Sequence, residues 1–330
     1  MATKVFRSHI LMCAGTACVS CGTFKVRERL EKELKDRGLD EEVKVVITGC
    51  NGFCAEGPIA VVYPEGIFYG HLKPEYMAEI VQEHILKGRP VPKYFYKEPV
   101  KKQAIPKMKD IPFFGLQVLR VLRNRGLINP ESIEEYIAKD GYVALHKALT
   151  QMTPEQIIAE MKESGLRGRG GAGFPTGDKW EESRKYNRFP KYVICNGDEG
   201  DPGAFMDRSV LEADPHAVLE GMAICARSID SHEGYLYIRA QLDHSWMYRK
   251  SKRTISSKSR DLPETIQDET APGLTCTLVF CHSSSRSYSK TWVGRGPTKL
   301  MSPLRMLHSC GSSSRLNRRR MRPTAVTRGS

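Results

Sequence analysis

The sequence predicts an α/β protein, and three observations carry that expectation. Short β-branched runs alternate with amphipathic segments through the first 240 residues. Cysteines stand in pairs where two of those runs give way to loops. A glycine-dense stretch, GLRGRGGAGFPTG, lies between a helix-like segment and a strand-like one. The 330 residues allow two or three ordinary domains, and 40% hydrophobic content suffices for a core. No run of about 18 apolar residues occurs and the first 25 residues lack an apolar h-region, so neither a membrane span nor a secretory signal is expected. Cytoplasmic location is the default.

Residues 1–88 read as a compact domain in the order β-α-β-β-β-α. Residues 9–13 are a short apolar run. Val26, Leu30 and Leu34 recur at four-residue spacing among charges over 23–37, which predicts a helix capped by Thr23 and stopped by Gly38. Residues 43–48, 59–63 and 68–72 are strand candidates, and 74–86 a second helix ended by Gly88. Cys13 and Cys18 form C-x4-C after the first strand, and Cys50 and Cys54 form C-x3-C after the next. Four thiolates from two loops at one sheet end suit an iron–sulfur cluster. Zinc uses the same ligand count, and Cys21, as Cys18-x2-Cys21, keeps that alternative open. Structural disulfides do not fit a cytoplasmic chain.

Residues 89–112 hold Pro90, Pro92, Pro99, Pro106 and Pro112 without a persistent apolar pattern, which predicts a stiff, extended, solvated linker. From 113 to 240 a second α/β domain is expected. Asn129-Pro130-Glu131 opens a helix over 131–140 that Gly141 ends, and Thr153-Pro154-Glu155-Gln156 signals an N-cap, Pro at N1 and a capping box. After the glycines, residues 192–195 read as a buried strand, Asp214-Pro215 as a helix start and 235–238 as another strand. Cys195 and Cys225 lack partners at ligand spacing and read as core; His146 and His216 read as surface or core residues.

Gly165, Gly168, Gly170, Gly171, Gly173 and Gly177 let backbone approach a flat or phosphorylated ligand. Phe174, Pro175 and Trp180 among them argue against a soft linker. GRGGAG satisfies G-x-G-x-x-G, but a helix precedes it and Phe-Pro follows, so an ordinary dinucleotide fingerprint is rejected, as is a P-loop. Arg167, Arg169 and Lys179 make a cationic lip, and Asp198, Glu199 and Asp201 an acidic one.

GLRGRGGAGFPTGDKW and NGDEGDPGAFMDRSVLEADPH resemble the FMN- and NADH-binding segments of the flavoprotein subunit of respiratory complex I and its relatives in NAD(P)-linked hydrogenases and formate dehydrogenases. CAGTAC with GCNGFC resembles the ligand pattern of thioredoxin-like [2Fe-2S] ferredoxins. The resemblance implies a thioredoxin-like ferredoxin domain followed by a partial Rossmann-like α/β flavin- and nucleotide-binding domain. It implies that Cys13, Cys18, Cys50 and Cys54 hold the [2Fe-2S] cluster, with Cys21 a bystander. Gly168, Gly170, Gly171, Lys179, Asn196 and Asp198 would hold FMN beside the cationic Arg169. Phe174 would stack on the nicotinamide side, and Glu199 and Asp201 would border NAD(P)H. Asp201 stands where the complex I members carry Glu, and Glu182 where they carry a second Phe. Hydride transfer from nicotinamide to flavin needs no acid or base, so no catalytic acid is assigned. The partners implied are other redox subunits of a hydrogenase, formate dehydrogenase or complex I-like assembly.

Residues 241–330 differ in texture. They hold 16 Ser, and 17 Lys and Arg against 5 Asp and Glu, which is nearly all of the net +13, and no apolar period persists. A disordered basic tail is expected. It could bind RNA, or it could follow a frame slip or truncation near Ala240. The second fits the resemblance, because the family's β-grasp domain and its C-x2-C-x2-C ligands for a [4Fe-4S] cluster are not recognisable here, and a nucleic-acid partner is not expected. A product ending in this way would act at most as a [2Fe-2S] electron carrier.

Overall fold

The computed structural model describes residues 5–201, 203–239, 264–267 and 275–281. Two four-stranded sheets organise them. In the first, β1 (Ser8–Cys13) pairs parallel with β2 (Val43–Thr48) and antiparallel with β3 (Ala60–Tyr63), which pairs with β4 (Ile67–Tyr69), giving the order β2-β1-β3-β4. A short α1 (Thr16–Ser20) follows β1, and α2 (Thr23–Asp36) then returns the chain to β2. The N-cap of α2 is Gly22, at φ 95°, and not Thr23, which is buried as the first helical residue. The second expected helix is a 3-10 turn (Pro74–Tyr76), one α-turn, α3 (Met77–Glu79), and a π-helix (Ile80–Leu86).

Strand alternation divides the core into two layers. Ile10 and Met12 face Val26, Leu30, Leu34, Ile80 and Val81, whereas Cys13 packs on the other face with Ile59, Val61 and Phe68. Residues 89–112 close that second face, which corrects the expectation of a solvated tether. A two-strand ribbon, β5 (Tyr96–Lys97) and β6 (Ala104–Ile105), bridges through Phe95 to Tyr69, and Tyr96 and Ile111 are buried against Phe68. The prolines fix the strap's extended course, but its aromatic and apolar side chains decide where it lies. At its end, α4 (Pro112–Gly115) stacks Phe113 on Phe53, with centroids 4.6 Å apart.

The second sheet is framed by α5 (Ile133–Ile137), α6 (Val143–Thr150), α7 (Pro154–Glu163), α8 (Thr176–Lys185), β7 (Tyr192–Gly197), α9 (Met206–Ala213), α10 (Pro215–Ile229) and β8 (Glu233–Arg239). Two capping signals operate as read: Thr153 and Gln156 form a capping box, and Asp214 accepts from the Ala217 amide at 3.2 Å. The helix expected over 131–140 is shorter, because Ser132, rather than Asn129, caps it by accepting from the Glu135 amide, and it ends at Ile137. β8 pairs parallel with β7 and also with β10 (Thr275–Cys281), whose far edge carries β9 (Glu264–Gln267) antiparallel. The sheet therefore continues past Ala240 through these two strands. The remainder of the expected basic tail lies outside the described residues.

Buried polar groups tie the helices together. Glu220 accepts from Tyr136 Oη at 2.5 Å and from the amides of Tyr142 and Leu145 at 3.1 and 3.0 Å. His216 Nδ1 meets Tyr142 Oη at 2.9 Å, which places His216 in the core. The loop after β2 meets the end of α9 at a seam without side chains on one side. A Cβ on Gly49 would stand 2.0 Å from the Glu212 carbonyl oxygen and 2.4 Å from Ala213 Cα. Gly49→Ala is thus expected to cost about 1–3 kcal/mol, the range for overpacking. A chemical denaturation midpoint equal to that of the parent chain would refute the close approach.

Candidate functional site

The four cysteines converge from the two loops that the sequence pairs. Cys13 ends β1 and Cys18 lies in α1, while Cys50 and Cys54 flank the loop after β2. Cys13, Cys18 and Cys50 are buried and Cys54 is exposed. The thiols contact in two pairs, Cys13 with Cys18 and Cys50 with Cys54. Hydrogen bonding to Cys18 and burial hold Cys13 well above the usual thiol range. Hydrogen bonding to Cys54 and burial do the same to Cys50, and the reciprocal bond brings Cys54 down to about 7. Among the described residues no three such side chains gather tightly enough to hold one metal ion. Two pairs suit a two-iron cluster, which divides four thiolates between its irons.

Two glycines let backbone close directly on the cysteines. A Cβ on Gly15 would lie 2.9 Å from Cys50 Cα, and one on Gly57 2.9 Å from Cys18 Sγ. The Asn51 amide already donates to Cys13 Sγ at 3.3 Å, the kind of contact that stabilises a thiolate. Cys21 is exposed at the end of α1.

The glycine loop leaves α7 at Gly165 and enters α8. Its neck is a bridge between Arg167 and Pro175, with the Gly168 amide donating to the Phe174 carbonyl at 2.9 Å and the Thr176 amide to the Leu166 carbonyl at 2.9 Å. Arg167 Nη1 also donates to the Gly173 carbonyl at 3.0 Å, so Arg167 shapes the loop from within. Gly171, at φ 96°, needs a conformation that side chains disfavour, and Cβ atoms on Gly170, Gly171 or Gly173 would meet nothing within 4 Å. The loop is therefore a bare backbone surface open to a ligand. Arg169, Phe174 and Lys179 are exposed on or beside it.

The second lip lies at the same end of the sheet. Arg184, late in α8, donates to the Ser228 carbonyl, and Lys191, just before β7, donates to the Ile229 carbonyl. The ends of α8 and α10 thus share a level with the start of β7, which puts the glycine loop level with the end of β7. Asn196, the next-to-last residue of that strand, accepts from the Asp198 amide at 3.0 Å, and Asp201 accepts from the Gly203 amide at 3.1 Å. Glu199 directs both carboxylate oxygens at the start of α9, accepting from the Asp207 and Arg208 amides at 3.1 and 3.2 Å. That capping role, favoured by the helix dipole, was not expected from sequence.

Helix α9 joins the lip to the cysteines. Its eight residues span about 12 Å at 1.5 Å each. Glu199 sits at its start; at its end Glu212 accepts from Thr16 Oγ1 at 2.5 Å and from the Thr16 amide at 3.4 Å, between Cys13 and Cys18 in sequence. Arg208 lies 3.8 Å from Glu212, and its charge helps to lower Cys54. The Thr16–Glu212 pair is hidden in the sequence because its members lie 196 positions apart. Cys195 and Cys225, pushed up to about 11 and about 12 by burial, are core thiols as expected. No helix among the described residues is long and apolar enough to cross a membrane.

Residues 2–84 match the family model described as thioredoxin-like [2Fe-2S] ferredoxin, and residues 161–267 the one described as Nuo51 FMN-binding domain. Over 119 residues the chain is 56% identical to the NADP-reducing hydrogenase subunit HndC of Solidesulfovibrio fructosivorans, covering 36% of this chain and 24% of that protein. Over 121 residues it is 49% identical to an NADH-quinone oxidoreductase subunit of Rhizobium meliloti (strain 1021), covering 37% and 29%. The thioredoxin-like [2Fe-2S] ferredoxin solved from Aquifex aeolicus is 31% identical over 27% of this chain and 95% of its own, with a TM-score of 0.26. The matched stretches thus span 24% and 29% of the two curated relatives.

A charge network braces the helices on either side of the glycine loop. Lys162 of α7 lies 2.9 Å from Glu181 of α8, and Lys185 lies 2.8 Å from it. Lys185 and Lys162 hold Glu181 down to about 2. A depressed carboxylate contributes stability above its ordinary pKa of about 4.3 and loses it as pH falls through the folded value. Melting of the parent chain is expected to fall slightly faster than that of Glu181→Gln between about pH 4 and about pH 2, the effect being small because the pair is exposed. Parallel profiles would exclude the brace.

Proposed function

We propose that this chain, in which a thioredoxin-like [2Fe-2S] ferredoxin segment precedes an FMN-binding segment of the Nuo51 type, is the electron-entry portion of an NAD(P)H-oxidising flavoprotein. The observation that carries this reading is α9, with the acidic lip at its start and the cluster loops at its end. FMN, when bound, couples a two-electron hydride donor to one-electron carriers, which no side chain can do.

The chain's own residues hold and orient. Gly168, Gly170 and Gly171 present backbone without side chains to the FMN phosphate and ring, with Arg169 and Lys179 supplying positive charge. Asn196 and Asp198 take the ribityl hydroxyls. Phe174 offers its exposed ring to the nicotinamide, and Asp201 and Glu199 border the dinucleotide, Glu199 while holding the start of α9. Cys13, Cys18, Cys50 and Cys54 hold the [2Fe-2S] cluster. Electrons then pass to another redox subunit, of a hydrogenase, formate dehydrogenase or complex I-like assembly. The relatives' names support the first and third of these.

Reconstitution of the full chain with FMN, iron and sulfide tests the reading. The expected outcome is about one FMN per chain, a [2Fe-2S] EPR signal on reduction, and NADH-dependent reduction of an artificial acceptor. A cluster without flavin would leave only an electron carrier, and a colourless zinc-loaded protein would overturn both assignments. Serine at any of Cys13, Cys18, Cys50 or Cys54 is expected to reduce or abolish the parent EPR signal, whereas Cys21→Ser keeps it. Loss of the signal in Cys21→Ser would move the ligand set.

A further inference from the structure

The loop that carries Cys50 and Cys54 is covered by a cation from outside the ferredoxin segment. Arg125 belongs to the stretch 120–128, in which Leu122, Asn124, Gly126 and Ile128 are buried and anchor the backbone. Asn124 donates to Asp214 at 2.7 Å, so this stretch is fastened to the start of α10. Arg125, half-buried, lays its guanidinium on Gly52. A Cβ there would stand 2.7 Å from Nη1, 2.8 Å from Cζ and 3.2 Å from Nη2. The next residue presses on the same loop, since a Cβ on Gly126 would stand 2.6 Å from Asn51 Nδ2. Asn51 in turn donates its amide to Cys13.

We infer that Arg125 is a positioning residue for the [2Fe-2S] centre, a fixed positive charge lent from outside the ferredoxin segment that raises the cluster's reduction potential. The inference rests on the reading of the four cysteines as cluster ligands. One-electron reduction adds a negative charge to a centre that four thiolates already make anionic, and a nearby guanidinium stabilises the reduced state more than the oxidised one. Its half-buried place keeps solvent from screening the effect fully. Burial lowers the pKa of the guanidinium, and the thiols of Cys50, Cys13 and Cys54 act on it in the opposite direction. Gln117 Oε1, accepting from Arg125 Nη2 at 3.2 Å, is the group that faces it from the solvent side.

The test is an EPR-monitored redox titration of the reconstituted full chain, with dithionite as reductant. Arg125→Gln is expected to keep the EPR line shape and move the midpoint to a more negative potential, while Arg125→Lys stays close to the parent. Gln117→Glu, at an exposed position, sets a carboxylate against the guanidinium and is expected to move the midpoint the same way with Arg125 intact. It decides the matter if Arg125→Gln loses its cluster. Unchanged midpoints with full cluster content would overturn the inference alone, as would an equal fall in Arg125→Lys. A parent chain that takes up no [2Fe-2S] cluster would overturn the ligand assignment and the inference with it.

Discussion

The arrangement depends on a place where backbone meets backbone. At Gly49 the cluster loop lies so close to the end of α9 that no side chain fits between. This contact brings the Glu212 carboxylate to Thr16 and keeps the acidic lip one short helix away from the cysteines. Electron tunnelling falls steeply with distance, so the spacing of the two proposed redox sites calls for something stiffer than side-chain packing. A glycine contact and a carboxylate held by both an amide and a hydroxyl supply that stiffness.

The pattern of elements was legible because it follows from local chemistry. A short apolar run gave β1, β-branched residues gave β2 and a short buried-strand pattern gave β7, while Thr153, Gln156 and Asp214 marked two helix starts by capping alone. The convergence of two cysteine-bearing loops at one sheet end was legible from spacing, and the bare backbone of the glycine loop from composition. What stayed hidden is what arises between segments. Arg125 looks like one of many basic residues until Gly52 is seen beneath it, and Glu199 resembles a ligand-facing acid until the amides of α9 are seen to occupy it. Thr275–Cys281 was obscured by the Ser- and Arg-rich composition around it, although its own residues are good strand formers.

Charge is distributed unevenly around the proposed redox path. The glycine loop carries cations, the end of β7 carboxylates, and the cysteine loops feel Arg125, Arg208 and Glu212, the last two from one helix. Opposite charges four residues apart on α9 let the helix approach an anionic centre without burying an uncompensated carboxylate, whose isolated cost would be high. Under the proposed function, what these residues supply is a set of fixed charges on rigid elements.

The strap over residues 89–112 has a consequence for how such proteins are assembled from parts. Tyr96 and Ile111 occupy the same apolar layer as Phe68, and Phe113 stacks on Phe53 between Cys50 and Cys54. A fusion joint that has become part of a neighbour's core is no longer a joint. The boundary at which the amino-terminal module could be exchanged, as a self-contained cassette, with another of its kind has moved from the end of its last helix to beyond the strap. Recombination between such genes would preserve the core only by carrying the strap along.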